Sequence, residues 1–223
     1  MKKIFLILMI LITTNAFAEI VQLPDGSRYE GPISEGKFNG HGKMYMGEHL
    51  FYEGDFKDGL YDGKGKMMTD GYEYEGEFSK GIINGKGKIC YSNTETYIGD
   101  FVNGFYDGFG VLTNSSGFRY QGEFKNHSQN GQGTCTYADG SMYKGGYEND
   151  MFEGEGILIT NNGIRYEGLF HKNVFTGKGK ITNLDGKAIK EKRKISINLT
   201  NCLLAISLLF NIIMSVKVIR RKR

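Results

Sequence analysis

The sequence predicts an all-β protein: an elongated, single-layer antiparallel meander of about seven β-hairpin repeats, with an N-terminal signal peptide and one C-terminal transmembrane helix. Three observations lead to this fold class. The chain repeats itself at a spacing of 22 or 23 residues, each repeat alternates with a period of two, and both ends carry long apolar runs. A fixed period in the twenties indicates an array of small supersecondary units, and a period of two is typical of β-strands.

The repeat unit begins at a tyrosine and, in its second copy, reads Tyr-Glu-Gly-Asp-Phe-Lys-Asp-Gly and then Gly-Lys-Gly-Lys. Numbered from the tyrosine, positions 3, 12 and 14 are glycine in all seven copies, position 5 is aromatic in six, and position 16 is apolar throughout. The copies begin at Tyr29, Tyr52, Tyr74, Tyr97, Tyr120, Tyr143 and Tyr166. The repeat-defining aromatic residues are Tyr52, Phe56, Tyr74, Phe78, Tyr97, Phe101, Tyr120, Phe124, Tyr143, Tyr147, Tyr166 and Phe170.

Each copy is predicted to form one β-hairpin. Positions 1, 3 and 5 share one face of a first strand, and positions 12, 14 and 16 share one face of a second strand. Position 8 lies between them and is glycine in four copies and His127, Asp150 or Asn173 in the others, mostly residue types that tolerate the left-handed backbone of a turn. Glycine inside a strand marks a close approach, so we expect aromatic rings to lie over the bare glycine backbone of neighbouring strands. A single sheet without a covering layer would leave these rings half open.

The opposite face of the sheet is predicted to carry paired charges. Positions 2 and 4 are often acidic, and positions 13 and 15 are often basic. Cross-strand pairs of this kind contribute roughly 0.2–1 kcal/mol each. We therefore interpret the lysine columns as part of a charge ladder rather than as a phosphate site.

The phrase Tyr-Glu-Gly-Glu-Phe, a glycine turn and then Gly-Lys-Gly resembles the MORN (membrane occupation and recognition nexus) repeat, from Tyr29 to about Ala188. The resemblance implies a single elongated, twisted antiparallel sheet. It also implies scaffold roles, namely protein binding, self-association and, in some members, contact with phospholipids. Pro32 and Ile33 in the first copy depart from the pattern, as do the three non-glycine turn residues.

The two ends of the chain predict export and a membrane anchor. Residues 1–18 combine two lysines, a run of nine apolar residues and an Ala-Phe-Ala end, which is typical of a signal peptide. Residues 195–216 carry no charge and are long enough to span a bilayer as a helix. The predicted segments are 1–18 signal peptide, 19–28 capping strand, 29–188 repeats, 189–194 basic linker, 195–216 transmembrane helix and 217–223 basic cytoplasmic tail.

These ends predict a single-pass membrane protein with the repeat array on the non-cytoplasmic side, periplasmic or extracellular, and the Arg/Lys tail inside. A processed C-terminal sorting signal is the alternative, and we rank it lower. Residues 19–189 contain 17 basic and 24 acidic residues, a net charge of −7. This charge argues against nucleic acid as a partner and disfavours adhesion to anionic phospholipid.

The sequence contains no pattern typical of an active site. The four histidines fall at different repeat positions without metal-ligand spacing, and Gly-Lys-Gly is followed by a strand rather than a helix. We therefore expect no enzymatic activity and predict no catalytic, cofactor-binding or metal-binding residue.

Two surfaces are candidates for binding a partner. Where copies four to six break the charge ladder, Phe109, Val111 and Ile157 would point outward, and exposed apolar groups mark partner sites. Burial under loops or by sheet twist is the equal alternative. The aromatic face is the second candidate, and Tyr106 and Phe152 complete the candidate partner surface.

The sequence thus predicts a non-enzymatic, membrane-anchored scaffold for protein–protein interaction or self-association. A phospholipid-contacting module that bridges two membranes, or a regulatory subunit of a separate enzyme, is the alternative.

Overall fold

The computed structural model describes residues 19–92, 94–189 and 195–196. Every regular secondary-structure element in this part of the chain is a β-strand. Sixteen strands form one antiparallel sheet in chain order, and two short strands form a separate hairpin. The strands are β1 (Glu19–Gln22), β2 (Ser27–Gly31), β3 (Ile33–Ser34), β4 (Lys37–Phe38), β5 (Gly40–Met46), β6 (His49–Lys57), β7 (Leu60–Met68), β8 (Tyr72–Ser79), β9 (Ile82–Tyr91), β10 (Glu95–Val102), β11 (Phe105–Asn114), β12 (Arg119–Lys125), β13 (Ser128–Thr136), β14 (Met142–Glu148), β15 (Met151–Ile159), β16 (Arg165–His171), β17 (Val174–Thr182) and β18 (Ile195–Ser196).

The segments predicted to direct export and to cross the membrane lie mostly outside the described residues. Residues 1–18 and 217–223 are not described, nor are residues 190–194 of the linker and residues 197–216 of the span. The first two residues of the predicted span form β18, which pairs with β17. Within the described residues, the structure contains no helix with the length and apolar character needed to traverse a bilayer.

The predicted hairpins are confirmed, and their turns have two residues. In the second copy Lys57 pairs with Leu60, so Asp58 and Gly59 form the loop with φ of 52° and 82°. Two successive positive φ values are the signature of a type I′ turn, which matches the twist of the flanking strands. His127, Asp150 and Asn173 adopt the same left-handed backbone as the glycines they replace.

The three turn residues that replace glycine make additional hydrogen bonds to the preceding copy. Every described turn from the second copy onward donates its position-8 N–H to the position-10 carbonyl of the previous copy. Asp150 and Asn173 in addition accept a backbone N–H with their side chains, from Gln129 at 2.7 Å and Phe152 at 2.7 Å. His127 Nδ1 accepts from the Tyr106 N–H in the same way, at 3.3 Å. The side chain therefore adds a second bond between neighbouring repeats.

Each strand bends sharply where the glycines lie. Gly54 pairs with Gly65 while Phe56 pairs with Tyr61, so the second strand carries extra residues at this point and forms a bulge. The bulge contains Gly63, whose φ of 112° excludes most other residues. Position 12 is glycine with positive φ in all seven copies. The conformation of the bulge accounts for this column.

The bend corrects the expectation that the aromatic face is half open. Four residues along a straight strand span about 13 Å. The rings of Tyr52 and Phe56, four residues apart, instead touch edge to face with their centroids 5.2 Å apart. Because the strand folds over itself, six of the seven repeat tyrosines have no exposed surface at all, and Tyr166 is 5% exposed. A single bent sheet thus encloses its own core.

The predicted approach of tyrosine rings to bare glycine is confirmed. The Tyr97 ring lies over Gly99 and Gly110, which pair with each other across β10 and β11. Its hydroxyl donates to the carbonyl of Asp100 at 2.9 Å. Five other repeat tyrosines make the equivalent hydrogen bond at 2.9–3.0 Å. Positions 3 and 14 are therefore glycine because a ring occupies the place of a side chain.

Candidate interaction surfaces

The outer face of the sheet carries the predicted charge ladder only in part. Salt bridges join adjacent copies at Lys43–Glu53, with N–O 3.2 Å, and at Lys86–Asp100, with N–O 2.7 Å. The hydrogen bond from Lys86 also lowers the pKa of Asp100. These pairs are largely exposed to solvent, so each contributes about 0–1 kcal/mol. The ladder therefore determines the charge pattern of the outer face and contributes little to the stability of the fold.

The acidic residue at position 4 has a second role that the sequence reasoning missed. The Asp100 carboxylate accepts the backbone N–H of Phe109 at 3.0 Å, and Asp55 and Glu123 accept the equivalent N–H at 3.1 Å and 2.9 Å. The carboxylate thereby occupies the space beside the position-12 glycine and closes the bulge. These carboxylates are tied to the backbone of their own copy and are poorly placed to receive a ligand.

An apolar patch interrupts the charges of the outer face. Ile98 and Phe109 are 52% and 53% exposed, and Val111 is partly exposed. Ile98 pairs directly with Val111, and Phe109 lies two residues before Val111 on the same face of β11. We call Ile98, Phe109 and Val111 the apolar patch. The alternative, that loops cover these residues, does not hold for Phe109.

The sequence predicts two members of the patch, Phe109 and Val111, but not the third. Ile98 occupies position 2, a column read as acidic, and its departure from that column is the signal that would have found it. Ile157 is partly exposed, but it lies on β15, four strands beyond β11. Its cross-strand neighbours are Lys144 and Glu167. Strands are about 4.8 Å apart, so Ile157 lies about 19 Å from the patch. It is not part of this surface.

Tyr106 and Phe152 do not belong to an exposed surface. Each is 1% exposed. Tyr106 stacks on Tyr97 with ring centroids 3.7 Å apart, and Phe152 stacks on Tyr143 at 3.6 Å. Both residues occupy position 10, which the bend of the strand folds over the position-1 tyrosine. The prediction that they contribute to a partner surface is therefore corrected, and they belong to the core.

The third copy leaves an opening on the inner face. Its position 10 is Ile83, which is shorter than the aromatic residues at this position in five other copies. A cavity of about 390 Å³ lies beside it. We call this cavity the aromatic slot. Its walls include Tyr61, Tyr72, Ile83, Tyr91 and Tyr106.

A buried carboxylate, that of Glu95, lies near Tyr91 and Tyr106, two residues that line the aromatic slot, but does not itself line it. Glu95 is 7% exposed, and neither carboxylate oxygen has a hydrogen-bond partner among the described residues. Burial raises the pKa of this carboxyl group from 4.5 to about 7. Burial also raises the pKa of Tyr91 to about 12, and the charge of Glu95 adds to the rise. Two slot residues meet at this point, since the Tyr106 hydroxyl donates to the Tyr91 hydroxyl at 3.5 Å.

A second polar group, His127, lies beside Tyr106 and also lines the aromatic slot. The His127 ring contacts the Tyr106 ring with centroids 4.6 Å apart, and its Nε2 has no partner in the described part of the chain. Burial lowers the pKa of His127 to about 4, so the imidazole is neutral at pH 7. Within residues 19–92, 94–189 and 195–196, no three His, Cys, Asp or Glu side chains form a group that could hold a metal ion.

The MORN repeat family model matches the chain in seven consecutive copies. The chain belongs to the MORN repeat family. MORN repeats are generally protein- and membrane-interaction modules, and the family is typically non-enzymatic. The matched residues are 29–47, 52–71, 74–95, 97–119, 120–142, 143–165 and 166–187.

This MORN protein was also compared with curated proteins and with solved structures. No curated protein matches the chain. Among solved structures, it is similar to the TCP domain of Drosophila melanogaster SAS-4 (dCPAP), which was solved in complex with a proline-rich motif of Ana2 (dSTIL). That match has a TM-score of 0.39 and 14% sequence identity, and covers 79% of this chain and 90% of the other.

Proposed function

We propose that this MORN protein is a non-enzymatic scaffold, anchored in a membrane by residues 195–216, that binds a partner protein through the outer face of its fourth copy. The observation that supports the proposal is the apolar patch of Ile98, Phe109 and Val111 within an otherwise charged face.

The surroundings of the patch resemble the anatomy of a protein interface. Interfaces place aromatic and aliphatic anchors at the centre, depleted of charge, and surround them with a polar rim. Here Phe109 is the anchor, the Lys86–Asp100 pair borders it on one side, and Glu123 pairs with it on the other. A sheet that is hydrogen-bonded on both sides of β11 holds this arrangement rigid, which lowers the entropic cost of binding.

A photo-crosslinking residue placed at Phe109 tests the binding role in the native membrane. We expect a discrete heavier band that contains a second protein, because the side chain at this position would lie in the interface core. The control is the same residue at Leu60, which is 48% exposed but lies two copies away, and it should give no such band. A band at twice the chain mass would replace the partner with a second copy. Absence of any adduct from Phe109 in a folded chain would contradict the proposal.

Membrane fractionation tests the anchor separately. The full chain should stay in the membrane pellet after an alkaline carbonate wash, because an apolar helix of this length is stable in the bilayer. A chain that ends at Ile189 should be released into the soluble fraction. If the shortened chain still sediments with membranes, residues 195–216 are not the sole anchor and the array itself contacts lipid.

A further inference from the structure

We propose that the array assembles head to tail with further copies of the same chain, and that each junction completes one repeat from two half-repeats. The N-terminal edge of the sheet is β1, and the C-terminal edge consists of Ala188, Ile189 and β18. The inference goes beyond the proposed function, because it concerns the two ends of the sheet rather than the outer face of the fourth copy.

The N-terminal edge is the second strand of a hairpin. Within each copy position 1 pairs with position 16, and position 16 pairs again with position 1 of the following copy, as Met44 does with Tyr52. Val21 pairs with Tyr29 in this second way, so Val21 occupies position 16. Its place within a copy of its own, opposite a position-1 residue, has no described occupant. β1 therefore presents an edge that fits a first strand.

The C-terminal edge is a strand of the opposite kind. Ile189 lies 23 residues after the tyrosine of the seventh copy, so it occupies position 1 of an eighth. Its N–H donates to the carbonyl of Ile181 at 2.8 Å, and Ala188 forms a bridge with Thr182. β18 pairs with β17 in the same register. This edge is therefore a first strand that no described second strand covers.

Each edge exposes an inner-face residue whose equivalents are buried. The position-16 residues of the seven copies are at most 9% exposed, and their position-1 tyrosines at most 5%. Ile189 at position 1 is 36% exposed, and Val21 at position 16 is partly exposed. In the proposed junction these two side chains lie directly opposite each other, as positions 1 and 16 do in every copy. Their burial removes apolar surface from water at both ends, which favours association.

The backbone groups of the two edges are also complementary. The Leu23 N–H donates to a carbonyl of β2, and successive residues of an antiparallel strand direct their N–H and C=O groups to opposite sides. Gln22 therefore presents both groups at the free side of β1. The Ile189 N–H points toward β17, so Ala188 presents both groups at the free side of its own edge. Gln22 and Ala188 occupy places that pair with each other in the seventh copy.

A second copy of the chain fits because one end offers a first strand and the other end a second strand. First and second strands run antiparallel in every copy, so the junction continues the direction and register of the sheet. Residues 1–18 are predicted to be removed and residues 197–216 to lie in the membrane, which leaves both edges open. A heterologous contact of this kind extends into a filament unless its rotation closes a ring.

Chemical crosslinking between Gln22→Cys and Ala188→Cys tests the proposal. The two substitutions are placed on separate, differently tagged full-length chains that are produced together, and a short bismaleimide is added to intact membranes. We expect a covalent product that carries both tags, because directly opposed residues of neighbouring strands have Cβ atoms about 5 Å apart. Both substitutions on one chain should give a ladder of multiples of the chain mass. Chains without either substitution measure the background from the native cysteines.

Three further variants show whether the crosslink depends on edge pairing. Ile20, like Gln22, directs its N–H away from β2, so Ile20→Pro removes a hydrogen bond of the junction and is tolerated on an edge strand. We expect this variant to fold and to lose the crosslink. Ile20→Thr keeps the N–H and a β-branched side chain, so it should keep the crosslink. Ile189→Lys places a charge in the junction and should abolish the crosslink from the other edge.

Absence of the mixed product, or a mixed product that persists in a folded Ile20→Pro chain, would overturn the proposal. A product formed only when both chains carry Gln22→Cys would show that two N-terminal edges meet, which would overturn the head-to-tail arrangement. Phe109 lies on β11, in the middle of the sheet, and does not contribute to either edge. Failure of the photo-crosslinking experiment and failure of this one are therefore distinguishable.

Discussion

Replacing Gly110 with alanine is expected to lower the free energy of unfolding by about 3 kcal/mol, at the upper end of what overpacking a core costs. A Cβ at this position would lie within 2.6 Å of three atoms of the Tyr97 side chain, two of the ring and the hydroxyl oxygen. The ring cannot yield, because its hydroxyl is bound to the Asp100 carbonyl and its face is stacked on Tyr106 at 3.7 Å. Denaturant unfolding of the full chain, followed by tyrosine fluorescence, measures the effect.

Gly71→Ala is the matched control for this substitution. Gly71 lies in a link between copies, its φ is not in the left-handed region, and a Cβ there would meet no atom within 4 Å. We expect a change within about 0.5 kcal/mol. If both alanine variants lose equal stability, the glycine at position 14 is not required by the tyrosine ring, and the explanation given for this column is wrong.

The local structure of the repeats could be predicted because it depends on residues close in sequence. The period of two, the glycine columns and the turn residues each act within a few positions, so hairpins, turns and the meander followed from them. The left-handed backbone at His127, Asp150 and Asn173 was predicted for the same reason. Family membership followed from the same columns, which the seven matched copies confirm.

The burial of the inner face could not be predicted because it depends on the bulge. Alternation assigns a side chain to a face but does not say whether the strand stays straight. In the structure the bulge at Gly108 folds β11 so that Tyr106 covers Tyr97, and a residue expected on a surface becomes part of the core. The carboxylate of Asp100 shows the same limit, since it binds a backbone N–H that only the bulge exposes.

The apolar patch and the buried carboxylate of Glu95 both depend on departures from columns rather than on the columns themselves. Ile98 departs from an acidic column and Glu95 from a largely apolar one, and both signals are present in the sequence. Their meaning required the structure, because a departure is informative only when its neighbours are known. Ile98 matters because it pairs with Val111 on the neighbouring strand and so extends an apolar surface. Glu95 matters because its buried carboxylate has no hydrogen-bond partner among the described residues.

Glu95→Gln is expected to stabilise the protein at neutral and alkaline pH but not at acid pH. Burial raises the pKa of Glu95 from 4.5 to about 7, so between these values the native state binds more protons than the unfolded state. The free energy of unfolding of the unmodified chain is therefore highest below pH 4.5, falls as the pH rises towards 7, and stays low above that. Glutamine does not titrate, so the variant should gain up to about 3 kcal/mol over the unmodified chain at pH 8.

The measurement is the free energy of unfolding of both chains at several pH values from 4.5 to 8. Glu148→Gln, at an exposed position, should show a difference from the unmodified chain that stays within about 0.5 kcal/mol at every pH. A pH-independent difference for Glu95→Gln would mean that the carboxyl group is solvated or already paired in the native state.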